Sequence, residues 1–233
     1  SDVCSSDLAV GSEEISKMMS ESFKSVIRGL RNILTVTLFS SACFTAAEAS
    51  PIGSLEGSPL WEVYKSRFVS SKGAVIDNVN HGISHSESQG YGMILSLAAD
   101  DRETFAKIYG FAKRHLSVRA DALFAWRYEP GKANPVSDQN NASDGDLLIA
   151  WALLEASELG WGREYRSTGL AILSDLKSQV KSFESIGLVL APGEKGFDEA
   201  EGRLVINPSY WVFPALERIS ELTSDSSWLR LSY

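Results

Sequence analysis

His81-Gly82-Ile83-Ser84-His85-Ser86-Glu87-Ser88-Gln89-Gly90-Tyr91-Gly92-Met93 runs directly into Ile94-Leu95-Ser96-Leu97-Ala98-Ala99, an apolar stretch that must be buried. Glu87 stands among hydroxyl, amide and imidazole groups and reads as an acid in the first turn of a buried helix. The free N–H groups of that turn favour its carboxylate, whereas partial burial penalises the charge. Gly90 and Gly92 each weaken a helix by roughly 1 kcal/mol relative to alanine. Their presence predicts a close approach of something to the helix backbone, a substrate being one candidate. By itself the stretch also fits a capped helix with an acidic first turn and two packing glycines.

Outward from this segment the hydrophobic spacing is that of helices joined by loops. Ser58-Pro59 supplies an N-cap and a proline at the first helical position, followed at helical spacing by Leu60, Val63, Tyr64 and Phe68. Asp100-Asp101 caps the helix after the Glu87 one, where Phe105, Ile108, Tyr109, Ala112 and Leu116 form a stripe opposite a charged face. Beyond Asp144 the chain is apolar nearly all round through Leu147, Leu148, Ile149, Ala150, Trp151, Leu153 and Leu154, whereas Glu164 to Phe183 is again one-sided. Fully buried helices thus alternate with half-wet ones, as a barrel of helical hairpins requires. The predicted class is all-α. Three short extended pieces, 123–128, 186–190 and 204–206, are placed as strands in connecting loops, too short to build a sheet. Asn207-Pro208 caps a segment containing Tyr210, Trp211, Phe213, Leu216, Ile219 and Leu222, in which Pro214 forces a kink or a short turn. Asp225 opens another helix, which ends at Tyr233 before it can bury a face.

A second polar cluster, Asn140-Asn141-Ala142-Ser143-Asp144-Gly145-Asp146, stands before the apolar helix. Two acids flanking a glycine at a helix start commonly serve as cap and dipole partner. The oxygens from Asp138 to Asp146 also offer a calcium-loop reading, but the glycine at position six and the acid at position twelve of that loop type are missing. His81 and His85, four residues apart, fit a metal pair on a helix or hydrogen bonding within a loop; no third ligand pattern lies near them. Trp126, Tyr128, Trp151, Tyr210 and Trp211 lie near the polar motifs. An indole stacks on the apolar face of a pyranose while its edge hydrogen-bonds. Trp126, on a loop between hairpins, is the first choice for such a surface, and Trp151 is assigned to the core.

The 233 residues carry a net charge of -8, with 44% hydrophobic and 10% aromatic residues. This globular composition argues by its sign against nucleic acid or anionic membranes as partners and suits a neutral one. Residues 1–17 show no periodicity and are set aside as extraneous or upstream of a start at Met18 or Met19. In 18–49, basic Lys24, Arg28 and Arg31 precede the apolar run 33–39 and the small-residue site Ala47-Glu48-Ala49. That succession reads as a secretory signal peptide cleaved after Ala49, its apolar part too short to span a membrane. Both cysteines, Cys4 and Cys43, precede the cleavage point, so 50–233 is expected to form one domain without disulfides. The expected location is secreted or periplasmic, with no membrane span after cleavage.

The stretch 83–93 resembles the segment bearing the proton-donor glutamate of glycoside hydrolase family 8, the bacterial endoglucanases, and looks most like the cellulose-synthesis-associated type. The family usually has glycine where Ser88 stands. Ala142-Ser143-Asp144-Gly145-Asp146, before an apolar helix ending in Ala156, is similar to the family's second signature, with Trp161 one residue later than usual. The likeness extends from about Trp61 to Trp228.

What the resemblance implies is a toroid of six helical hairpins, (α/α)6, of which 50–233 is the N-terminal part, an incomplete barrel. It implies hydrolysis of internal β-1,4-glucosidic bonds of cellulose or related glucans with inversion. Glu87 is then the general acid, and Asp144 stays ionised and binds the distorted sugar. Trp126, Tyr210 and Asp146 are assigned to substrate binding. No metal and no cofactor are implied; the partners are a β-1,4-glucan and a cellulose-synthesis system. In the family the base that activates water lies on a later aspartate. After Tyr210 the only acids are Glu217, Glu221 and Asp225, none in a matching context, so this piece is expected to lack the base and to be inactive alone. Chitosanase and xylanase remain open as activities of the same family, as does a non-catalytic glucan-binding fragment. An α-solenoid interaction protein is disfavoured because no repeat period is present.

Overall fold

The computed structural model describes residues 52, 54–184, 187–199 and 203–231; the expected segments 1–17 and 18–49 lie outside the described residues. Among the described residues there are six α-helices: α1 (Pro59–Phe68), α2 (Ser86–Ala98), α3 (Arg102–His115), α4 (Ser143–Glu158), α5 (Arg163–Leu176) and α6 (Phe213–Thr223). Three antiparallel two-stranded ribbons lie between them: β1 (Ser84–His85) with β2 (Arg127–Tyr128), β3 (Val180–Phe183) with β4 (Gly187–Leu190), and β5 (Asp198–Glu199) with β6 (Arg203–Leu204). The fold is all-α, and the extended pieces fall in loops.

The two helices whose sequences are apolar on every side form the inner layer. From Ser143 to Ala156 every residue of α4 is buried, and α2 buries Gln89, Gly90, Gly92, Met93 and Ser96 to Ala98. The amphipathic helices lie outside: α3 packs on α2, and α5 packs on α4. Helix α3 begins where Asp101 Oδ1 accepts from Thr104 N at 2.9 Å, and its predicted stripe is fully inward. Helix α6 lies beside α4, tied by Arg218, whose guanidinium reaches the buried Glu155 carboxylate at 2.7 Å. Glu155 also accepts from Trp151 Nε1 at 3.1 Å, which places Trp151 in the core as expected.

The glycines of α2 are contact points between helices. A Cβ at Gly90 would lie 2.6 Å from Leu148 Cβ of α4, and one at Gly92 would lie 2.7 Å from Val75 Cγ2. The close approach read from the sequence is therefore made by the protein's own inner helix and by Val75. A substrate has no place there.

Four local expectations are corrected. The buried edge of α1 is Trp61, with Leu60 60% and Val63 49% exposed. The large indole outcompetes Leu60 because its Nε1 finds Asp101 Oδ2 at 3.0 Å while its ring stacks on Tyr64 at 5.6 Å. The one-sided helix expected to reach Phe183 ends at Leu176. A 3-10 turn, Lys177–Gln179, follows, because Gln179 is drawn inward to Asn141 and β3 then pairs with β4. Near the end, the 3-10 helix Ser226–Leu231 buries Trp228 and Leu231, a face the sequence reading did not grant it. Asn207 caps only a 3-10 turn, Pro208–Tyr210, and Pro214, expected to kink that helix or restrict it to a short turn, instead sits in the first turn of the separate helix α6.

Gly90→Ala is expected to destabilise the fold by about 1–3 kcal/mol through overpacking, although alanine is the better helix former by roughly 1 kcal/mol. Gly110→Ala in α3, whose added methyl meets only Arg114 Nη2 at 3.8 Å, is expected to be neutral or stabilising. Denaturant unfolding of both variants checks the contrast.

Candidate active site

Glu87 is the second residue of α2 and Asp144 the second residue of α4. The two helix starts meet at Gly145, where a Cβ would lie 2.2 Å from Ser86 Oγ and 2.7 Å from Glu87 N. Any other side chain at 145 would push the acids apart. Ser86 and Ser143, which precede the two acids, carry the two buried side-chain oxygens without a hydrogen-bond partner among the described residues. The departure at Ser88 has a local use: its Oγ accepts from His85 N at 3.1 Å and donates to His85 O at 2.9 Å, capping α2.

The β1–β2 ribbon brings Trp126 to the same place. Ser86 N donates to Trp126 O at 3.0 Å, so the residue before Glu87 is bonded to the candidate stacking residue. The indole Nε1 donates to Asp138 Oδ2 at 2.8 Å, the Arg127 guanidinium lies 4.6 Å from the ring centroid, and the His85 ring is parallel at 6.4 Å. Tyr210 stands on its 3-10 turn, steadied by Trp211, whose Nε1 donates to Leu190 O at 3.2 Å. Its phenol is pushed up by burial and then by the charges of Asp144 and Glu87, so it lies within the field of both acids. Tyr91 feels burial, then Glu87 and Asp144, in the same way, yet it is 41% exposed. Sequence reasoning passed over Tyr91; the signal was its position one helical turn after Glu87, on the same face.

Burial raises the Glu87 carboxyl, with His85 pulling the other way. Burial and then the Glu87 charge push Asp144 up to about 7, against the hydrogen bond from Gly145 N at 2.7 Å. The expectation that only Glu87 holds a proton near neutrality is thereby revised. Repulsion between two carboxylates is mutual, so the pair shares a tendency to keep a proton, and the first ionisation strengthens the hold on the second.

Asp146, expected to bind substrate, does not reach the site surface. It is 0% exposed; Oδ1 accepts from Phe124 N and Oδ2 from Asn141 Nδ2, both at 2.8 Å. The reason is helical geometry: two residues after Asp144, its side chain leaves α4 on another face and points into the loop packing. The calcium-loop reading fails on the same ground, since Asp138, Asp144 and Asp146 aim their oxygens at separate partners. His85 Nε2 lies 3.5 Å from Asp77 Oδ2, a loop contact, and no cluster of three metal-ligating side chains occurs among the described residues. The late acids are engaged elsewhere: Glu221 with Arg218 at 2.9 Å and Asp225 with Lys177, while Glu217 is exposed on α6.

Asp144 holds its proton in the folded state at pH values where an unfolded chain has lost it. Its contribution to stability is therefore greatest below about 4 and is lost as pH rises through about 7. Carboxyl titration by NMR is expected to place Asp144 well above an ordinary aspartate, and Glu87→Gln, by removing the neighbouring charge, is expected to move it down.

Three kinds of comparison agree. A family profile described as glycosyl hydrolases family 8 matches residues 30–232. An endoglucanase of Cellulomonas uda is 40% identical over 172 residues, covering 73% of this chain and 47% of the relative; a probable endoglucanase of Novacetimonas hansenii is 37% identical over 168 residues, covering 72% and 49%. The chain thus spans about half the length of the curated relatives it matches. Among solved structures, endoglucanase Cel10 of Klebsiella pneumoniae superposes with a TM-score of 0.69 at 41% identity, covering 73% of this chain and 55% of that one. A family 8 endo-β-1,4-glucanase from an Achatina fulica gut metagenomic library gives 0.71 at 38%, covering 76% and 56%. With matched segments that span both acid-bearing helix starts and the helical layers behind them, this chain belongs to glycosyl hydrolase family 8.

Proposed function

We propose that the protein is an endo-acting β-1,4-glucanase that hydrolyses cellulose or a related glucan with inversion, Glu87 protonating the departing glycosidic oxygen. The observation that carries this reading is the meeting of two helix starts at Gly145, which sets Glu87 beside Asp144 with both carboxyls pushed toward the protonated form. A general acid must hold its proton at working pH, and burial together with a neighbouring carboxylate is the physical means. Once Glu87 carries the shared proton, Asp144 is the ionised partner, placed to favour positive charge developing on the sugar. Trp126 offers an aromatic wall beside the acids, and Tyr91 and Tyr210 offer phenols that take or give hydrogen bonds to sugar hydroxyls. The curated relatives' names support the substrate class.

The basic, apolar and small-residue succession in 18–49 supports export to the periplasm or medium. The resemblance to the cellulose-associated type supports action alongside a cellulose-synthesis system.

Glu87→Gln keeps the shape and removes the acidic proton. In the intact protein it is expected to lower turnover on carboxymethylcellulose by roughly 10²–10⁴-fold, with full binding of cello-oligosaccharide retained. Activity that survives this change removes Glu87 from the role. Parallel assays on chitosan and xylan decide the substrate, NMR of the first-formed anomer decides inversion, and turnover is expected to persist in chelator.

A further inference from the structure

The buried Asp146 has no part in the chemistry just described, yet its hydrogen bonds lead to the Trp126 loop and to both acid-bearing helix starts. Its two oxygens accept from Phe124 N and Asn141 Nδ2. Asn141 Oδ1 in turn accepts from Gln179 Nε2 and Glu194 N, each at 2.9 Å, and Asn141 Nδ2 also donates to Gln179 Oε1 at 3.2 Å. Asp146, Asn141 and Gln179 are all buried, between 0% and 3% exposed. An amide can point either way, so something must set the direction of this chain of bonds. Asp146 accepts through both of its terminal atoms, which an amide, with one oxygen and one NH2, cannot do, so its carboxylate fixes the direction.

From this centre the bonds run outward to the catalytic frame. Phe124, held by Asp146, is two residues before Trp126; Ala125 bridges to Asn141, and Trp126 N donates to Asn140 O at 2.8 Å. Trp126 O then receives Ser86 N, the first residue of the Glu87 helix. On the other side, Glu194 N and the bond from Ser143 N to Pro192 O, at 2.9 Å, bind the 191–197 loop to the start of α4. The charge of Arg119 favours the Asp146 carboxylate, but its guanidinium is spent on Asp121, Glu194 and Gln139 O. Burial pushes the Asp146 carboxyl up to about 7, with the bonds from Phe124 N and Asn141 Nδ2 opposing it; they offset only part of the cost of its charge, which makes their direction matter more.

We propose that Asp146, Asn141 and Gln179 form an orientation lock that positions Trp126 and the Glu87 helix against Asp144, with Asp146 as the positioning residue that sets its direction. This rests on the reading of Glu87, Asp144 and Trp126 as the catalytic site. In D146N the new amide faces one of two donors with its own N–H groups. Turning Asn141 to relieve that conflict passes it to Gln179 and Glu194 N, so it moves along the chain without vanishing. The exchange D146N/N141D reverses the central bond: the amide at 146 accepts from Phe124 N and donates to the carboxylate at 141, which still accepts from Gln179 Nε2 and Glu194 N and gives up only the 3.2 Å bond to Gln179 Oε1.

The test compares the intact protein, D146N and D146N/N141D by turnover on carboxymethylcellulose and by amide hydrogen exchange at Phe124 and Glu194. The lock predicts that D146N lowers kcat by about 10²-fold, the scale of a misplaced catalytic frame, and exposes both amides to faster exchange. The double variant is expected to recover most of the rate and the protection. D146N with wild-type kcat and protection overturns the proposal, as does a double variant no better than D146N or one that fails to fold. If the parent protein does not cleave glucan, the functional reading falls, while the exchange arm still decides the lock.

Discussion

The contact between α2 and α4 is the constraint on which the rest of the structure depends. Two helices stay apart by the width of their side chains unless glycine removes that width on one of them. Here the approach is made twice, once on each helix: Gly90 of α2 against Leu148, and Gly145 of α4 against Ser86 and the backbone of Glu87. The two glycines lie a turn apart along the same interface, so they fix the translation and rotation of one helix start relative to the other. The outer helices, the ribbons and the loops are then added around a pair whose positions are already set.

That contact has an electrostatic consequence. Each acid is the second residue of a helix, where unpaired N–H groups and the helix dipole favour a carboxylate. Burial at a helix–helix interface works against the charge, and so does the other acid. Burial and repulsion win for Asp144, whose carboxyl is carried to about 7, while Glu87 moves in the same direction with His85 opposing. A pair of carboxyls that keeps one proton close to neutrality is the requirement for protonating a leaving oxygen beside a developing positive charge. The same close approach that packs the inner layer thus sets the two carboxyls against each other.

The polar interior is concentrated where loops must be held to helices. Gln89 accepts from Val75 N at 2.6 Å and Ser84 Oγ at 3.0 Å, and donates to Gly73 O at 3.1 Å and Ile108 O at 2.9 Å, so a fully buried amide is satisfied on every side. It ties the loop before β1 and the outer helix α3 to the helix that bears Glu87. The Asp146, Asn141 and Gln179 group does the same for the Trp126 loop and the 191–197 loop. A half-satisfied network of this kind costs more than an apolar core, and full satisfaction is what lets irregular segments be as well positioned as helices.

Much of this protein was legible in its sequence because it depends on local spacing. The stripe of α3, the Asp101 and Ser58 caps, the all-round apolar α4 and the placing of Glu87 and Asp144 at helix starts all follow from residues within a few positions of one another. Family membership was likewise readable from two short motifs. Tertiary structure alone decided which partner occupies the space at Gly90, which face of α1 is buried, and where Asp146 points. It also decided that Lys177–Gln179 leaves the helix and that Tyr91 shares the field of both acids. Each of these turns on groups far apart in the chain: Leu148 against Gly90, Asp101 receiving the Trp61 indole, Phe124 donating to Asp146, Asn141 drawing in Gln179. A sequence shows that a glycine admits a neighbour or that an acid needs donors; only the packed chain shows which neighbour and which donors, because that choice is made by competition among all the surfaces folding brings together.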